Sequence, residues 1–361
     1  MGVEEATMGW LDRLRGDPLP WLLDETAPAV RHLALRQLLD RPADDPDVVA
    51  ARSAAMEAHP IAAILAAQHP EGWWDKSGPG YGTKYRGTVW QLTFLDQLGA
   101  DPAHPQVRAA CDCVLSHSQA ENGGFGASGV ATATAPPPSY VIHCLNGNLL
   151  RALIGFGRLD DPRTWRAIDW QAAAITGEGE IRWYKSSVPG PGFLCSANEG
   201  LPCAWGAVKA VLGLARIPAA RRPPNVQRAL DAGVAFLLSR DPAVADYPMA
   251  YGNTKPNGSW FRLGFPSGYV TDVLQTLEAL CEAGAAADAR LARAVDWLLE
   301  QQDDRGRWAN RYAYQGKMVI DIDRPGEPSR WVTLRACRVL KAVAGPSRVG
   351  TASAVSVGAV S

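Results

Sequence analysis

Four residues are placed in this sequence to do chemistry. Cys144 and Cys203 each open an apolar stretch of helical pattern, at corresponding points of successive repeats, and Cys195 lies just ahead of Cys203. Asp272 holds a similar position one repeat further on. Three thiolates with one carboxylate or imidazole make a sound tetrahedral zinc set, and His143 adjoins Cys144. The same thiols could instead serve as reactive groups, because the thiolate is the nucleophile of a cysteine. The spacing Cys195-x7-Cys203 fits no standard zinc knuckle. Cysteine is equally a small hydrophobe that fills tight helix contacts. All of these readings stay open at this level.

A second candidate is the acid pair Asp321 and Asp323, with Glu327 nearby. A carboxylic acid that donates protons must be held neutral by burial and by neighbouring carboxylates. Arg324 sits beside the pair and favours the ionised form, so a solvated or salt-bridged turn is the competing reading. The stretch 317–322 reads as β-like before the Pro325-Gly326 turn. Aromatic residues form the third set. Trp90, Trp205, Tyr269 and Trp331 stand at the starts of apolar helices, where rings could line a cavity and stabilise positive charge through their faces. The loops Gly78-Pro79-Gly80-Tyr81-Gly82 and Gly190-Pro191-Gly192 lack the strand and the Lys-Ser or Lys-Thr of a phosphate loop, and read as flexible mouth loops.

What must position these residues is a repeat. Gln68 to Trp74, Gln119 to Phe125 and Gln302 to Trp308 each read Gln, three residues, Gly, one residue, aromatic. An aliphatic residue lies four places before each Gln: Ile64, Leu115 and Leu298. That spacing is one helical turn, so the Gln closes an amphipathic helix on the aliphatic face. The Gly allows the chain to reverse at positive φ, and the aromatic folds back on the last turn. A degraded fourth copy is expected from Gln171 to Trp183. More apolar helices are predicted near 88–98, 144–156, 203–215, 270–283 and 332–343. More charged ones are predicted near 105–116, 164–174, 224–238 and 287–301. Helical hairpins repeated at about 50 to 65 residues signal a stacked or closed helical array.

The chain of 361 residues is 47% hydrophobic and 20% charged, enough apolar material for a sizeable core. A formal net charge of -1 argues against an extended nucleic-acid surface. No apolar run approaches a membrane span, and the first residues lack a signal-peptide layout. Seven cysteines without such a leader point to a reducing compartment, with the cytoplasm as the default. The expected organisation is a helical cap over 1–60, repeats over 61–345 and a disordered tail over 346–361.

The Gln-x3-Gly-x-aromatic turns resemble the QW motifs of squalene and oxidosqualene cyclases and the repeats of protein prenyltransferase β subunits, over most of 60–345. More narrowly, Cys203-Ala204-Trp205-Gly206 and Ser329-Arg330-Trp331-Val332 are similar to stretches of small bacterial squalene-cyclase-like proteins. The resemblance implies an all-α fold, an α/α toroid of inner and outer helices with its reaction chamber at one mouth. It implies an enzyme acting on an apolar, isoprenoid or other natural-product substrate by cyclisation or transfer. Asp321 and Asp323 would be acids, and Trp90, Trp205, Tyr269 and Trp331 would contact substrate. Cys144, Cys195, Cys203 and Asp272 would form a polar centre able to take zinc, with Asp272 also a candidate catalytic residue. The Asp-rich segment carries two of the three acids of the cyclase pattern, and no Asp-x-Cys pair of the prenyltransferase kind is present. A non-catalytic helical-repeat scaffold and a carbohydrate-active toroid are the alternatives.

Overall fold

The computed structural model describes residues 8–127, 141–178, 180–183, 186–189 and 192–345. The N-terminal segment forms α1 (Met8–Leu11), α2 (Leu19–Leu22), α3 (Pro28–Gln37), α4 (Pro46–Glu57) and α5 (Ile61–Ala66). Then follow α6 (Thr88–Gln97), α7 (Pro105–His117), α8 (His143–Gly155) and α9 (Pro162–Thr176). A short antiparallel pair, β1 (Glu180–Trp183) and β2 (Ser186–Pro189), leads to α10 (Ala204–Ala215) and α11 (Pro224–Leu237). The last helices are α12 (Val273–Glu282), α13 (Ala292–Glu300) and α14 (Arg330–Ala344).

Inner and outer helices alternate as the apolar pattern predicts. Each of α6, α8, α10 and α12 is buried along most of its length, whereas α7, α11 and α13 bury one stripe. Outer helices α7, α9 and α11 begin with Pro at the first turn, where the missing N–H has no partner to lose. The inner helices pack in sequence from α6 through α8, α10 and α12 to α14. At the α8–α10 crossing the backbones touch. A Cβ on Gly147 would lie 2.2 Å from the Lys209 carbonyl carbon, so only glycine fits. Helix α3 packs against α14, where Lys341 Nζ donates to the carbonyls of Gln37 (3.2 Å) and Leu38 (3.0 Å). Its Leu33 meets Gly99 just beyond α6. With α3 between the first and last inner helices, the row closes into a ring, the α/α toroid expected from the repeat.

The repeated turns supply the joints. Gln119 Nε2 donates to Gly123 O (2.8 Å) and to Arg163 O (2.6 Å) in the first turn of α9. Gln68 does the same to Gly72 O and to Gln106 O in α7. The glycines at φ +92, +95 and +69 (Gly72, Gly123 and Gly306) press on the backbones of Ala109, Arg166 and Gly16. The backbone N–H of each aromatic residue then donates to a polar side chain in the next inner helix: Trp74 to Thr88, Phe125 to Asn146, Trp308 to Thr333. The third turn has no following outer helix. The N-terminal segment takes that place: Arg15 N–H donates to Gln302 Oε1 (2.8 Å), and Gly16 packs on Gly306. Gln119→Ala is therefore expected to cost about 1–2 kcal/mol, for two hydrogen bonds of which the Arg163 carbonyl is left without its partner. Urea denaturation measures it, and an unchanged midpoint would count against the joint.

Two expectations are corrected. Gln171 lies within α9, buried, and its Nε2 pairs with His143 Nδ1 at 2.6 Å, so no fourth turn begins there. Residues 317–322 form bends and turns, not a strand. The stretch 346–361 lies outside the described residues. Among those described, no helix is long and apolar enough to cross a membrane.

Candidate functional site

The axis of the ring is filled by the chain itself. The segment 263–270 descends from the mouth, and Ser267 exchanges two hydrogen bonds with Gln97 at the far end of α6 (2.7 and 2.8 Å). Phe265 stacks on Trp331 at 4.7 Å, and Gly268 N–H donates to the Tyr314 hydroxyl. Below this plug lies a buried ion network. Arg335 makes two-pronged contact with Glu278 (2.5 to 3.1 Å) and donates to Gly264 O (2.8 Å). Arg338 and Arg151 share Glu282, and Arg216 reaches Asp96. The space left between plug and network is about 30 Å³, room for little more than a water. Among the described residues, the space between plug and network leaves no room for a bulky apolar substrate.

The chemistry gathers instead at the mouth, where the inner helices begin. Helices α6, α8 and α10 start there without a side-chain cap, so their first N–H groups are free of such partners. Cys144 lies in the first turn of α8, and its sulfur is 3.3 Å from the Tyr81 hydroxyl. Burial holds the Cys144 thiol above its ordinary pKa. Cys203 is the residue before α10, and its thiol hydrogen-bonds Cys195. That bond, with the N–H groups of Ala197 and Asn198, brings Cys195 down to about 7. Cys203, sharing its proton with Cys195 and buried, is pushed far up. Around the thiols stand half-buried rings. Trp205 meets Tyr269 edge-on at 5.3 Å, and Lys84 Nζ lies 3.5 Å above the Tyr269 ring.

The sequence-predicted residues divide accordingly. Cys144, Cys195, Cys203, Trp205 and Tyr269 share the mouth. Asp272 does not join them: it caps α12, its two oxygens accepting N–H bonds from Gln275 (2.7 Å) and Gly264 (3.0 Å). Both oxygens are thereby committed, and His143 Nδ1 is committed to Gln171. The zinc set does not fit, since among the described residues no three His, Cys, Asp or Glu are placed to hold a metal. Trp90 is fully buried under Tyr81, and Trp331 is buried behind Phe265, so both pack the wall. Asp321 and Asp323 line one groove but make separate hydrogen bonds. Asp321 is exposed and accepts from Gly316 N–H (3.0 Å). Asp323 accepts from Ser329 Oγ (2.5 Å) and Asn310 Nδ2 (3.0 Å), bracing the loop before α14. Burial raises the Asp323 pKa, but the carboxyl lines a surface groove, with His59 and Glu327, outside the ring axis.

Tyr81, Lys84 and Lys209 were not singled out in the sequence. Lys209 was findable: it is the lone charge in the apolar run from Cys203 to Ala215. Tyr81 and Lys84 come from an irregular loop with no periodicity to read.

The chain is similar to solved terpene-cyclase structures. The type II terpene cyclase MstE from Scytonema shares 18% identity, with 88% of each chain covered and a TM-score of 0.45. A protein from Actinoplanes shares 16%, with 89% of each chain covered and a TM-score of 0.45. An unsaturated glucuronyl hydrolase specific for heparin shares 10%, over 89% of this chain and 86% of that one, at 0.47. No protein-family model matches the chain, and no curated protein sequence does.

Proposed function

We propose that this chain is an enzyme that takes an apolar, isoprenoid-type molecule at the mouth of the ring, and that its chemistry is transfer rather than proton-initiated cyclisation. The observation that carries this reading is the meeting of the Tyr81, Trp205 and Tyr269 rings with three thiols at the uncapped starts of α6, α8 and α10. Rings offer an apolar face to a hydrocarbon chain. Lys84, held over the Tyr269 ring, and the positive ends of the inner-helix dipoles favour an anionic leaving group such as a diphosphate. Cys195 is the nucleophile: its thiolate pair forms the sulfur–carbon bond to the allylic carbon as the carbon–oxygen bond breaks, and the electrons of the broken bond leave on the diphosphate. The exposed Asp321 and the braced Asp323 argue against an acid-started cyclisation.

Geranyl, farnesyl and geranylgeranyl diphosphate, with squalene as a comparison, test this by tryptophan fluorescence, diphosphate release and intact mass. The expected result is saturable binding of a diphosphate ester and a prenyl group on Cys195. Tyr269→Ala should weaken binding about tenfold, or ~1.4 kcal/mol. Cyclised squalene would overturn the transfer reading, and binding without turnover would favour a non-catalytic module. Failure of every ligand to bind would remove the apolar substrate altogether.

A further inference from the structure

The cysteines of this chain fall into different environments. Cys111 and Cys337 are fully enclosed in the core, and burial raises both thiols. Cys195 and Cys203 are only partly buried and sit at the two ends of one tight loop. The backbone of that loop is held in antiparallel register: Cys203 N–H donates to Phe193 O (2.7 Å), and Cys195 N–H to Leu201 O (3.2 Å). Leu194 and Pro202 form the bridge between them. Asn198 locks the turn from inside, its Nδ2 donating to Pro202 O (3.0 Å) and to Pro248 O (3.1 Å), while its Oδ1 accepts from Ala250 N–H (2.8 Å). The register places the two cysteines diagonally on one face of a braced frame, Cys195 opposite Leu201 and Cys203 opposite Phe193, with their thiols near enough to share a proton.

We propose that Cys195 and Cys203 form a redox-active dithiol, oxidised to an intramolecular disulfide by a peroxide or by exchange with a small-molecule disulfide. Cys195 is the attacking sulfur. A short 3₁₀ turn, Ser196–Asn198, begins directly after it and is closed by the Asn198 N–H donating to Cys195 O (2.9 Å), while Cys203 and the nearby backbone N–H groups favour the Cys195 thiolate. With hydrogen peroxide, the Cys195 thiolate attacks one oxygen, the O–O bond breaks, and the leaving hydroxide takes a proton to become water. The sulfenic acid so formed is attacked by Cys203, the S–S bond closes, and a second water leaves with the Cys203 proton. The two electrons lost by the pair are those gained by the peroxide. With glutathione disulfide, Cys195 first forms the mixed disulfide and releases one glutathione thiolate. Cys203 then displaces the second. Cys203 is the more buried sulfur and keeps its proton, which suits it to resolve rather than attack. Cys144 does not compete, because its sulfur is engaged by Tyr81 and kept a thiol by burial. The dithiol uses the same Cys195 that is proposed above to take the prenyl group, but its test with peroxide or glutathione disulfide, in the absence of any prenyl diphosphate, stands or falls independently of that reading.

The full reduced chain, treated with hydrogen peroxide or glutathione disulfide, tests the proposal by intact mass and by peptide mapping after alkylation. The expected product has lost two hydrogens, carries no glutathione, and contains a peptide linked through Cys195 and Cys203. Cys203→Ser should halt the sequence midway, leaving a stable glutathione adduct or a dimedone-trappable sulfenic acid on Cys195. Cys195→Ser should slow reaction at Cys203 at least tenfold. In the unmutated chain, iodoacetamide labelling of Cys195 should rise with pH around a midpoint of about 7. A different linkage, or a wild-type chain that stops at the same Cys195 adduct as Cys203→Ser, would overturn the proposal. The wild-type linkage decides the matter even if a variant fails to fold.

Discussion

Replacing Glu278 by Gln should destabilise the protein by about 3–5 kcal/mol, because it leaves Arg335 charged and buried without an anionic partner. Both side chains are almost wholly enclosed, at 2% and 7% exposure, so neither can recover its hydration after the loss. The remaining Arg335 contact to Gly264 O is neutral and does not offset a buried cation. Replacing both residues by Met should recover most of the loss, since the cost of removing two charges from water disappears with them. The pH dependence has a definite sign. Burial alone would raise Glu278, but Arg335 and Arg338 overcome it and hold the carboxyl down at about 2. A depressed carboxylate contributes stability above its unfolded value of 4.5, and that contribution is lost as pH falls from there toward 2. Urea denaturation at neutral pH and at pH 3 would show it. A Glu278→Gln stability within 1 kcal/mol of wild type, by the same assay, would mean that this ion pair is not what holds α12 to α14.

This ion pair shows how much of the molecule could be read from its residues. Glu278 and Arg335 are 57 positions apart, within the hairpin length that the Gln-Gly-aromatic turns announce. Pitch and helix order were therefore legible, and the inner helices begin and end within a few residues of where the apolar pattern puts them. Charges on successive inner helices at one repeat's spacing could have been paired by the same arithmetic. Asp272 carried its own structural signal: an Asp before a helix with Gln three places on is a capping pattern, and Gln275 N–H is its partner. The plug was not legible. Residues 263–270 have no period, and the Ser267 bonds to Gln97 span 170 positions, which local pattern does not encode. With the plug unseen, the axis reads as open and Trp331 as a ring lining a cavity. The cysteines could be grouped by their helix starts, but the contact between Cys195 and Cys203 depends on the loop brace at Asn198.

Lys209→Met should stabilise the protein at neutral pH by roughly 2 kcal/mol, an unusual direction for a fully buried position. Burial is the chief reason that the Lys209 ammonium is depressed from 10.5 to about 7; Asp272 counters it, whereas Arg335 and Arg151 reinforce it. That displacement corresponds to a destabilisation on the order of 4 kcal/mol at pH 7, because the unfolded chain binds this proton more tightly. Met fills the same volume without a charge. The gain is reduced by about 1–3 kcal/mol, since Val270 O and Gln275 Oε1 each lose a donor. For a lysine with a lowered pKa, wild-type stability should rise as pH increases from about 7 toward 10.5, and Lys209→Met should flatten that rise. Thermal unfolding at pH 7 and pH 9 measures both. Equal slopes in the two proteins would show that Lys209 titrates normally. A Lys209→Met protein that is more stable yet less able to hold a ligand would tie the lysine to work at the mouth, since it lies beneath Cys144 and bonds the carbonyl next to Tyr269. A more stable protein with unchanged binding would leave it as a positioning group for the plug, holding Val270 and Gln275 in register.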